Sequence, residues 1–412
     1  MQAEVIAVGS ELLLGQIVDT NSAVIARHFA SIGLNLFYKT TVGDNLARTT
    51  AVIRQALDRS DVIVTTGGIG PTADDITREA VAAATGRELV FSGDLLRQIE
   101  AYFASRGLRL SPSNKRQAYI PAGAIPVENP VGTAPAFIVD DAGRTLITLP
   151  GVPREMEYLL VRRVLPYLRE RYGIQGEIRL RILKCVGLGE SRIGERLADF
   201  MEKGDNPTVG TLAHLGQVDV RIAAKGADAA EADRLIAPVE AEIRARLGEA
   251  VFGADADTLE GEIDRRLAAM GGRLALVEVG TAGTATERLA AAIPQRFAGS
   301  MVMSHVSPAG PLLVEVDGDA TPLARAQALA RAAARWAGAE VGAASYAEPV
   351  PGSAPAVTRV AVGVAVGEAL TGHEHTLGGD AASQRIRAAT LLLDEVRRAI
   401  PAPKLTVLGA GG

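Results

Sequence analysis

The stretch TTGGIGPTADDITRE, residues 65–79, decides how the first part of this chain folds. It follows the apolar run VIV at 62–64, whose length and β-branching predict a buried strand. Gly67, Gly68 and Gly70 come next, and a helical pattern runs over about 74–84. A strand, a glycine-rich turn and a helix start form an anion site, because bare backbone can approach a phosphate and helix N–H groups point toward it. The stretch therefore predicts an α/β domain with a phosphate-binding turn.

Acidic side chains follow these glycines, and they have two explanations. In the first, Thr72 caps the helix and Asp75 completes a capping box. Asp74 and Arg78, four residues apart, would then form an ordinary exposed ion pair. Asp75 and Glu79 are also four apart, and like charges on one helix face repel each other unless a cation lies between them. We therefore favour a divalent-cation site over capping, with Asp75 a better candidate than Asp74.

Composition is typical of a cytosolic α/β protein. The 412 residues are too many for one hydrophobic core, and 48% apolar and 22% charged residues are ordinary for globular domains. The formal net charge of −5 argues against non-specific nucleic-acid binding. The single cysteine, Cys185, excludes an intramolecular disulfide, and its apolar neighbours predict a buried, inert thiol. No apolar run approaches the roughly 18 residues of a membrane span, so we expect a cytoplasmic protein.

The first 170 residues alternate strand and helix patterns. Strands are predicted at 4–8, 36–42, 61–66, 136–139 and 145–149, and helices at about 22–32, 46–59 and 74–84. This alternation implies a mostly parallel sheet covered by helices on both faces. Four strands are followed by polar or glycine-rich turns: Ser10-Glu11, Asp44-Asn45, the glycine turn and Pro150-Gly151. Because the carboxyl ends of parallel strands line the ligand crevice, we expect these turns to form one site.

Two further units follow. Residues 171–255 show strands at 178–186 and 218–223 and helices at 191–201 and 228–247, a pattern typical of a small α+β sandwich. Residues 256–412 resume an α/β alternation, with strands at 274–279, 301–305 and 357–366 and helices at 284–292, 322–337 and 381–400. The segment 348–356 is predicted as a loop.

Together with the glycine turn, five segments resemble the competence/damage-inducible protein A (CinA) family: GSELLLG at 9–15, VGDN at 42–45, NKRQA at 114–118, NPVGTAP at 129–135 and LPGVPREM at 149–156. The resemblance is dense over the first 170 residues and moderate over the middle unit. It implies a three-layer molybdenum-cofactor-biosynthesis-like α/β domain at 1–170, a small α+β KH-like domain at 171–255 and a C-terminal α/β deamidase-like domain at 256–412. It also implies a homodimer, a divalent-metal-dependent ADP-ribose pyrophosphatase activity in the first domain and, where the last domain is intact, a nicotinamide mononucleotide deamidase activity.

The last domain departs from the family pattern. The family's Glu-Ser-Cys-Thr-Gly-Gly motif is here EVGTAG at 278–283, which puts Val279 where the nucleophilic serine should be. An isopropyl side chain cannot attack a carboxamide, so we predict that the deamidase activity is lost. Ser304 and His305, with Ser307 close by, do not replace it, because neighbours on a strand point to opposite faces. His373 and His375 are more typical of an exposed turn than of a metal site.

The residues and the resemblance together assign a site in the first domain. Asp75 is predicted as the main ligand of Mg²⁺, Mn²⁺ or Co²⁺, assisted by Glu79, Asp44 or Glu11. Lys115 would neutralise the leaving phosphate, although a solvated helix lysine explains it equally well. The candidates for binding ADP-ribose or a similar nucleotide are Thr66, Gly67, Gly68, Gly70, Thr72, Glu11, Asn21 and Gly151. Plainer explanations exist for two residues, since Asn21 suits a helix cap and Glu155 a first-turn acid.

A second hypothesis is a non-catalytic regulatory protein that binds a pterin or a nucleotide. The fold that the resemblance implies is shared with molybdopterin-handling proteins, and fold does not determine function. RNA binding by the middle unit is disfavoured, because that unit lacks the basic surface with interleaved aromatic residues that RNA binding favours.

Overall fold

The computed structural model describes residues 1–304, 320–353 and 357–402. The chain folds into two compact units. One comprises Met1–Arg179 and Ala224–Leu235, and the other comprises Leu180–Ala223 and the chain from Ile236 onward. Of the helices within the described ranges, none has the length and apolar character that crossing a membrane requires.

The first unit contains two sheets. Its strands are β1 (Gln2–Val8), β2 (Asn35–Val42), β3 (Val62–Thr66), β4 (Leu89–Phe91), β5 (Tyr119–Pro121), β6 (Ile125–Val127), β7 (Ala136–Asp141) and β8 (Arg144–Leu149). The larger sheet has the order β2-β1-β3-β8-β7-β6, and the smaller sheet pairs β4 with β5. β2, β1, β3 and β8 are parallel, whereas β7 and β6 are each antiparallel to their neighbour. The predicted mostly parallel sheet is confirmed, with an antiparallel edge.

Helices cover both faces of the larger sheet. They are α1 (Ser10–Leu13), α2 (Asn21–Ala30), α3 (Leu46–Arg59), α4 (Thr77–Ala84), α5 (Gly93–Ala104), α6 (Pro153–Leu159) and α7 (Leu165–Tyr172). Alternate residues of β3 enter different cores: Val62 and Val64 join the core with α2 and α6, whereas Ile63 joins the core with α3, α4 and α5. A strand buried on both faces is apolar throughout, which explains the VIV run. The expected three-layer α/β architecture is therefore present.

The strand register brings four turns to one edge of this sheet. Thr66 lies between Ala7 of β1 and Leu149 of β8, and Val8 lies opposite Val42 of β2. The turns that follow β1, β2, β3 and β8 therefore emerge side by side, as their positions in the sequence predict.

A smaller sheet of order β10-β11-β9-β12 follows in the chain. Its elements are β9 (Glu177–Val186), β10 (Thr208–His214), β11 (Gln217–Gly226), β12 (Val251–Ala254), α8 (Glu190–Lys203) and α9 (Ala229–Leu247). The sequence does not predict β10, because this edge strand is largely exposed and lacks an apolar alternation. Cys185 in β9 is fully buried, and burial raises the pKa of its thiol to about 12, so the expectation of an inert thiol is confirmed.

The last sheet has the order β14-β13-β15-β16-β17. Its elements are β13 (Leu274–Val279), β14 (Phe297–Met303), β15 (Val341–Pro349), β16 (Thr358–Val366), β17 (Ala369–Leu377), α10 (Leu259–Met270), α11 (Thr284–Ala292), α12 (Pro322–Ala337) and α13 (Ala381–Ala399). The loop predicted at 348–356 is wrong at its start, because Glu348 and Pro349 pair with β16; residues 354–356 lie outside the described ranges. The exposed turn predicted at His373 and His375 is also wrong, because both residues lie on β17.

Candidate functional site

A cleft of about 460 Å³ lies at the edge where β1, β3 and β8 end. Ten of the twelve predicted site residues line it: Glu11, Asn21, Asp44, Thr66, Gly67, Gly68, Gly70, Thr72, Asp75 and Gly151. They come from turns that are far apart in the chain, and the strand register brings them together. The volume falls in the range of small-molecule sites.

Gly67 and Gly68 are required by the backbone of the turn. Both have positive φ angles, 103° and 67°. A Cβ atom on Gly67 would lie 2.2 Å from the carbonyl oxygen of Val8, and one on Gly68 would lie 2.2 Å from Oγ1 of Thr77. Any side chain would therefore force the turn away from β1 or from α4. The turn presents bare backbone to the cleft because of these two contacts.

Asp75 holds the glycine turn in place and does not belong to a helix. Its Oδ1 accepts a hydrogen bond from the Gly70 N–H at 2.7 Å, and its Oδ2 accepts from the N–H and the hydroxyl of Thr72, at 2.9 and 2.5 Å. The helix begins only at Thr77, so the predicted helix start at Asp74 and the capping box are both wrong. The argument from like charges on one helix face also fails, since Asp75 precedes the helix that carries Glu79.

Arg78 supports the same turn from the protein interior. It is only 2% exposed, and its guanidinium donates to the carbonyl oxygens of Ile69 and Gly70, the latter at 2.7 Å. Burial lowers the pKa of Arg78 to about 10, which still leaves it charged at neutral pH. The predicted exposed pair of Asp74 with Arg78 is wrong, because the turn folds over the arginine.

The turns after β1 and β2 are joined by reciprocal hydrogen bonds. The Ser10 N–H donates to Oδ2 of Asp44 at 2.7 Å, and the Asp44 N–H donates to Oγ of Ser10 at 3.1 Å. One carboxylate oxygen of Asp44 is thus engaged. Glu11, in the first turn of α1, also lines the cleft.

Asn21 links two cleft turns and caps no helix. Its Nδ2 donates to Oγ1 of Thr66 at 3.0 Å and to the carbonyl oxygen of Gly151 at 2.8 Å. Helix α2 begins at Asn21 with Thr20 as its N-cap residue, so the cap explanation is wrong. Oδ1 of Asn21 is buried and has no hydrogen-bond partner within the described part of the chain. A buried unsatisfied acceptor in a cleft wall suits a ligand donor.

Two predicted residues do not reach the cleft. Oε1 of Glu79 forms an ion pair with Nη2 of Arg116 at 3.0 Å, and Glu79 does not line the cavity. Lys115 is exposed in the short 3₁₀ segment Pro112–Ala118 and does not line it either. The neighbouring Arg116 instead donates to the carbonyl oxygens of Thr72 and Asp75. The sequence holds no signal that separates these two adjacent cations.

Glu155 is a cleft residue to which the sequence assigns only a minor role. It lies in the first turn of α6 and lines the cavity. Its Oε2 accepts a hydrogen bond of 2.6 Å from Nδ2 of the fully buried Asn129. Burial raises the pKa of the Glu155 carboxyl group above its usual range, while the bond from Asn129 and the charge of Arg154 oppose that shift. A helix-dipole interaction alone explains neither the burial nor the asparagine.

The cleft carboxylates do not form a preassembled metal cage. Within the described ranges, no three His, Cys, Asp or Glu side chains are grouped so as to hold a metal ion. The predicted set of Asp75, Glu79 and Asp44 is therefore not assembled, since Glu79 pairs with Arg116. The acidic side chains that do line the cleft supply only oxygen donors. Such donors fit Mg²⁺ or Mn²⁺ held by one or two carboxylates together with substrate phosphates.

The altered motif in the last sheet serves packing. Val279 is 1% exposed and lies in an apolar cluster between the sheet and α12. The buried Glu278 accepts hydrogen bonds from the Thr281 hydroxyl at 2.8 Å and the Thr286 N–H at 2.7 Å, so it anchors the start of α11. On β17, Nδ1 of His373 lies 2.9 Å from Oε2 of Glu395. His305 and Ser307 lie outside the described residues.

Comparison with known proteins agrees with this geometry. Residues 4–170 match the family model described as "Probable molybdopterin binding domain". Residues 180–253 match the model described as "Damage-inducible protein CinA KH domain". The fold and its glycine-lined cleft thus define a molybdopterin-binding-like α/β protein that also carries a KH domain.

Relatives cover most of the chain. A competence-damage inducible protein of Caldicellulosiruptor saccharolyticus is 44% identical over 283 residues, 69% of this chain and 68% of that protein. A CinA-like protein of Kosmotoga olearia is 35% identical over 410 residues, 97% of this chain and 99% of that protein. The chain belongs to the CinA family. The chain is also similar to a solved structure of the protein CinA, with unknown function, from Thermoplasma acidophilum. The two sequences are 40% identical, the match covers 40% of this chain and 96% of that chain, and the TM-score is 0.38.

Proposed function

We propose that the cleft of the first domain hydrolyses the pyrophosphate bond of ADP-ribose or of a related nucleoside diphosphate compound, with Mg²⁺, Mn²⁺ or Co²⁺. The observation that carries this proposal is the meeting of bare glycine backbone and carboxylates in one cleft of nucleotide size. Backbone N–H groups suit phosphate oxygens, and carboxylates suit a cation bound to those phosphates. A pyrophosphate is a ligand that needs both.

The residues of the turn have distinct roles in this proposal. The backbone of Gly67 and Gly68 holds a phosphate, and Asn21 and Thr66 orient the substrate from the neighbouring wall. Asp44 and Asp75 are the carboxylates that would hold the cation. Each of them also accepts hydrogen bonds from N–H groups of the cleft turns. Such a cation would neutralise the phosphates and ease deprotonation of water.

The leaving phosphate also requires a compensating charge. Lys115 and Arg116 both lie in the 3₁₀ segment Pro112–Ala118, and neither lines the cleft. We propose that Lys115 supplies this charge, because the guanidinium of Arg116 is already bonded to the glycine turn and to Glu79.

The alternative is a protein that binds a pterin or a nucleotide without converting it. One observation favours this function, namely that the family model matching residues 4–170 is described by its binding of molybdopterin. The same backbone cradle would serve either function, so the two differ only in turnover.

Incubation with ADP-ribose separates these functions. We expect AMP and ribose 5-phosphate to form with Mg²⁺, Mn²⁺ or Co²⁺ and to stop forming with excess EDTA. Asp44→Asn should lower the rate, whereas Asp58→Asn, an exposed acid in α3, should not. Binding of ADP-ribose in calorimetry without AMP under any metal would favour the binding protein. We further propose that the protein is a homodimer. Light scattering coupled to size-exclusion chromatography would test this by measuring the molar mass in solution.

A further inference from the structure

Glu155 is held in the cleft by a buried asparagine that also closes the loop over residues 129–134. Asn129 is fully buried, and its Nδ2 donates to Oε2 of Glu155 at 2.6 Å and to the carbonyl oxygen of Ala134 at 2.9 Å. Its Oδ1 accepts from the Val131 N–H at 3.2 Å. Asn129 is thus fixed in orientation by the loop that it closes, and it presents one N–H to the carboxylate.

The loop backbone is fitted closely around the same carboxylate. A Cβ atom on Gly132 would lie 1.9 Å from an oxygen of Glu155, so a side chain at this position would displace the carboxylate. The carboxylate therefore has a defined position at the wall of the cleft, with Oε2 committed to Asn129. Within the described part of the chain, its second oxygen, Oε1, accepts no hydrogen bond.

A purely structural explanation of Glu155 is weak. Among the ion pairs formed within the described ranges, none includes this residue, although it is half-buried. A partly desolvated carboxylate that forms no ion pair costs stability, and a glutamine or methionine would pack there without that cost. Costly charged groups of this kind concentrate at functional sites.

We propose that Glu155 is the general base of the hydrolysis assigned above to this cleft, and that Asn129 is its positioning residue. This inference rests on the proposed function. The carboxylate takes one proton from a water molecule while the water oxygen forms a bond to phosphorus. The bond from that phosphorus to the bridging oxygen breaks, and its electron pair leaves with the second phosphate.

The environment of Glu155 suits this role. A base is most effective when its pKa lies near the working pH, and burial moves the pKa of this carboxyl group in that direction. The hydrogen bond from Asn129 and the charge of Arg154 favour the ionised carboxylate and oppose that shift. Protonation at lower pH would then remove the base, so the rate should fall on the acid side.

The test compares pH–rate profiles of wild type, Glu155→Gln, Glu155→Asp and Glu157→Gln with ADP-ribose and a saturating metal. Glu157 is the matched control, since it is an exposed acid on the same helix, 3.2 Å from Nε2 of His28. Glu155→Gln keeps an acceptor for Asn129, so it should fold like wild type. We expect kcat to fall by about 100-fold to 10,000-fold with little change in KM, and the acid limb of the profile to disappear.

The outcomes separate the two claims. Partial activity in Glu155→Asp, with a displaced acid limb, would support the general base. If wild type is active and Glu155→Gln keeps its rate within a few-fold, or changes only KM, the general-base role of Glu155 is refuted. The proposed hydrolase activity is then unaffected. If wild type makes no AMP with any metal, both the hydrolase activity and the general-base role are refuted. Circular dichroism of each variant identifies any that fail to fold, and Glu155→Asp then decides the result.

Discussion

The substitution Asp75→Asn distinguishes two roles for this carboxylate, namely holding the glycine turn and serving only as a metal ligand. Both oxygens of Asp75 accept hydrogen bonds from the turn: Oδ1 from Gly70, and Oδ2 twice from Thr72. Asparagine has one acceptor oxygen, so it can satisfy one side of this arrangement. Its NH₂ group would then face N–H or O–H donors on the other side. The turn should loosen even when no metal is added.

The contacts allow a magnitude to be worked out. A hydrogen bond to a charged acceptor contributes about 1.5–3 kcal/mol when shielded from water, and exposed bonds contribute less. The Gly70 contact is partly buried and the Thr72 contacts are exposed. We therefore expect the free energy of unfolding to fall by about 2 kcal/mol. For a domain of this size, that change lowers Tm by roughly 4–8 °C.

Thermal unfolding in EDTA measures this change without any contribution from a metal. Asp74→Asn is the control, because it removes the same charge one residue away without the Gly70 contact. Activity should also be low in Asp75→Asn at every metal concentration, since the phosphate cradle is displaced. An unchanged Tm, with only a higher metal concentration needed for half-maximal activity, would refute the holding role and make Asp75 a simple ligand.

Four other predictions concern residues in and around the site and the altered motif. Arg78→Met leaves the buried carbonyl oxygen of Ile69 and the partly buried one of Gly70 without these donors, so urea unfolding should show a loss of about 3 kcal/mol. Arg54→Met, whose contact with a carbonyl oxygen is exposed, should cost less than about 1 kcal/mol. Glu79→Gln should leave the metal dependence of any turnover unchanged, and a shift in that dependence would return Glu79 to the site. Nicotinamide mononucleotide should release no ammonia, even with Val279→Ser, and detected ammonia would contradict the loss of the deamidase. Burial raises the pKa of the Glu155 carboxyl group in the folded protein above its value in the unfolded chain. The protonated form therefore stabilises the folded state fully at pH values below the unfolded pKa, and this stabilisation is lost as the pH rises through the folded pKa. Glu155→Gln should therefore melt above wild type near neutral pH, with the difference vanishing below about pH 4.

The sequence predicts the strands around the cleft well and the local geometry of its turn poorly. The all-apolar β3 is recognisable because burial on both faces leaves no charged position in it. The turn is different, since the spacing of Asp74, Asp75 and Arg78 fits a helix that in fact begins at Thr77. Asp75 binds the N–H groups of the turn, which competes with helix formation at that point. Arg78 then becomes buried because the turn lies over it.

By itself the sequence determined the class of the domain, the edge of the sheet that carries the site, and ten of the residues that line it. These follow from local patterns: alternating burial, glycines where side chains do not fit, and polar residues after strands. Three contacts were decided only by the tertiary structure. Asn21 donates to the carbonyl oxygen of Gly151, and Asn129 donates to Glu155. Arg116 forms an ion pair with Glu79, which does not line the cleft. Each of these contacts joins residues at least 26 positions apart, so it depends on strand register and loop packing, which no local period in the sequence encodes.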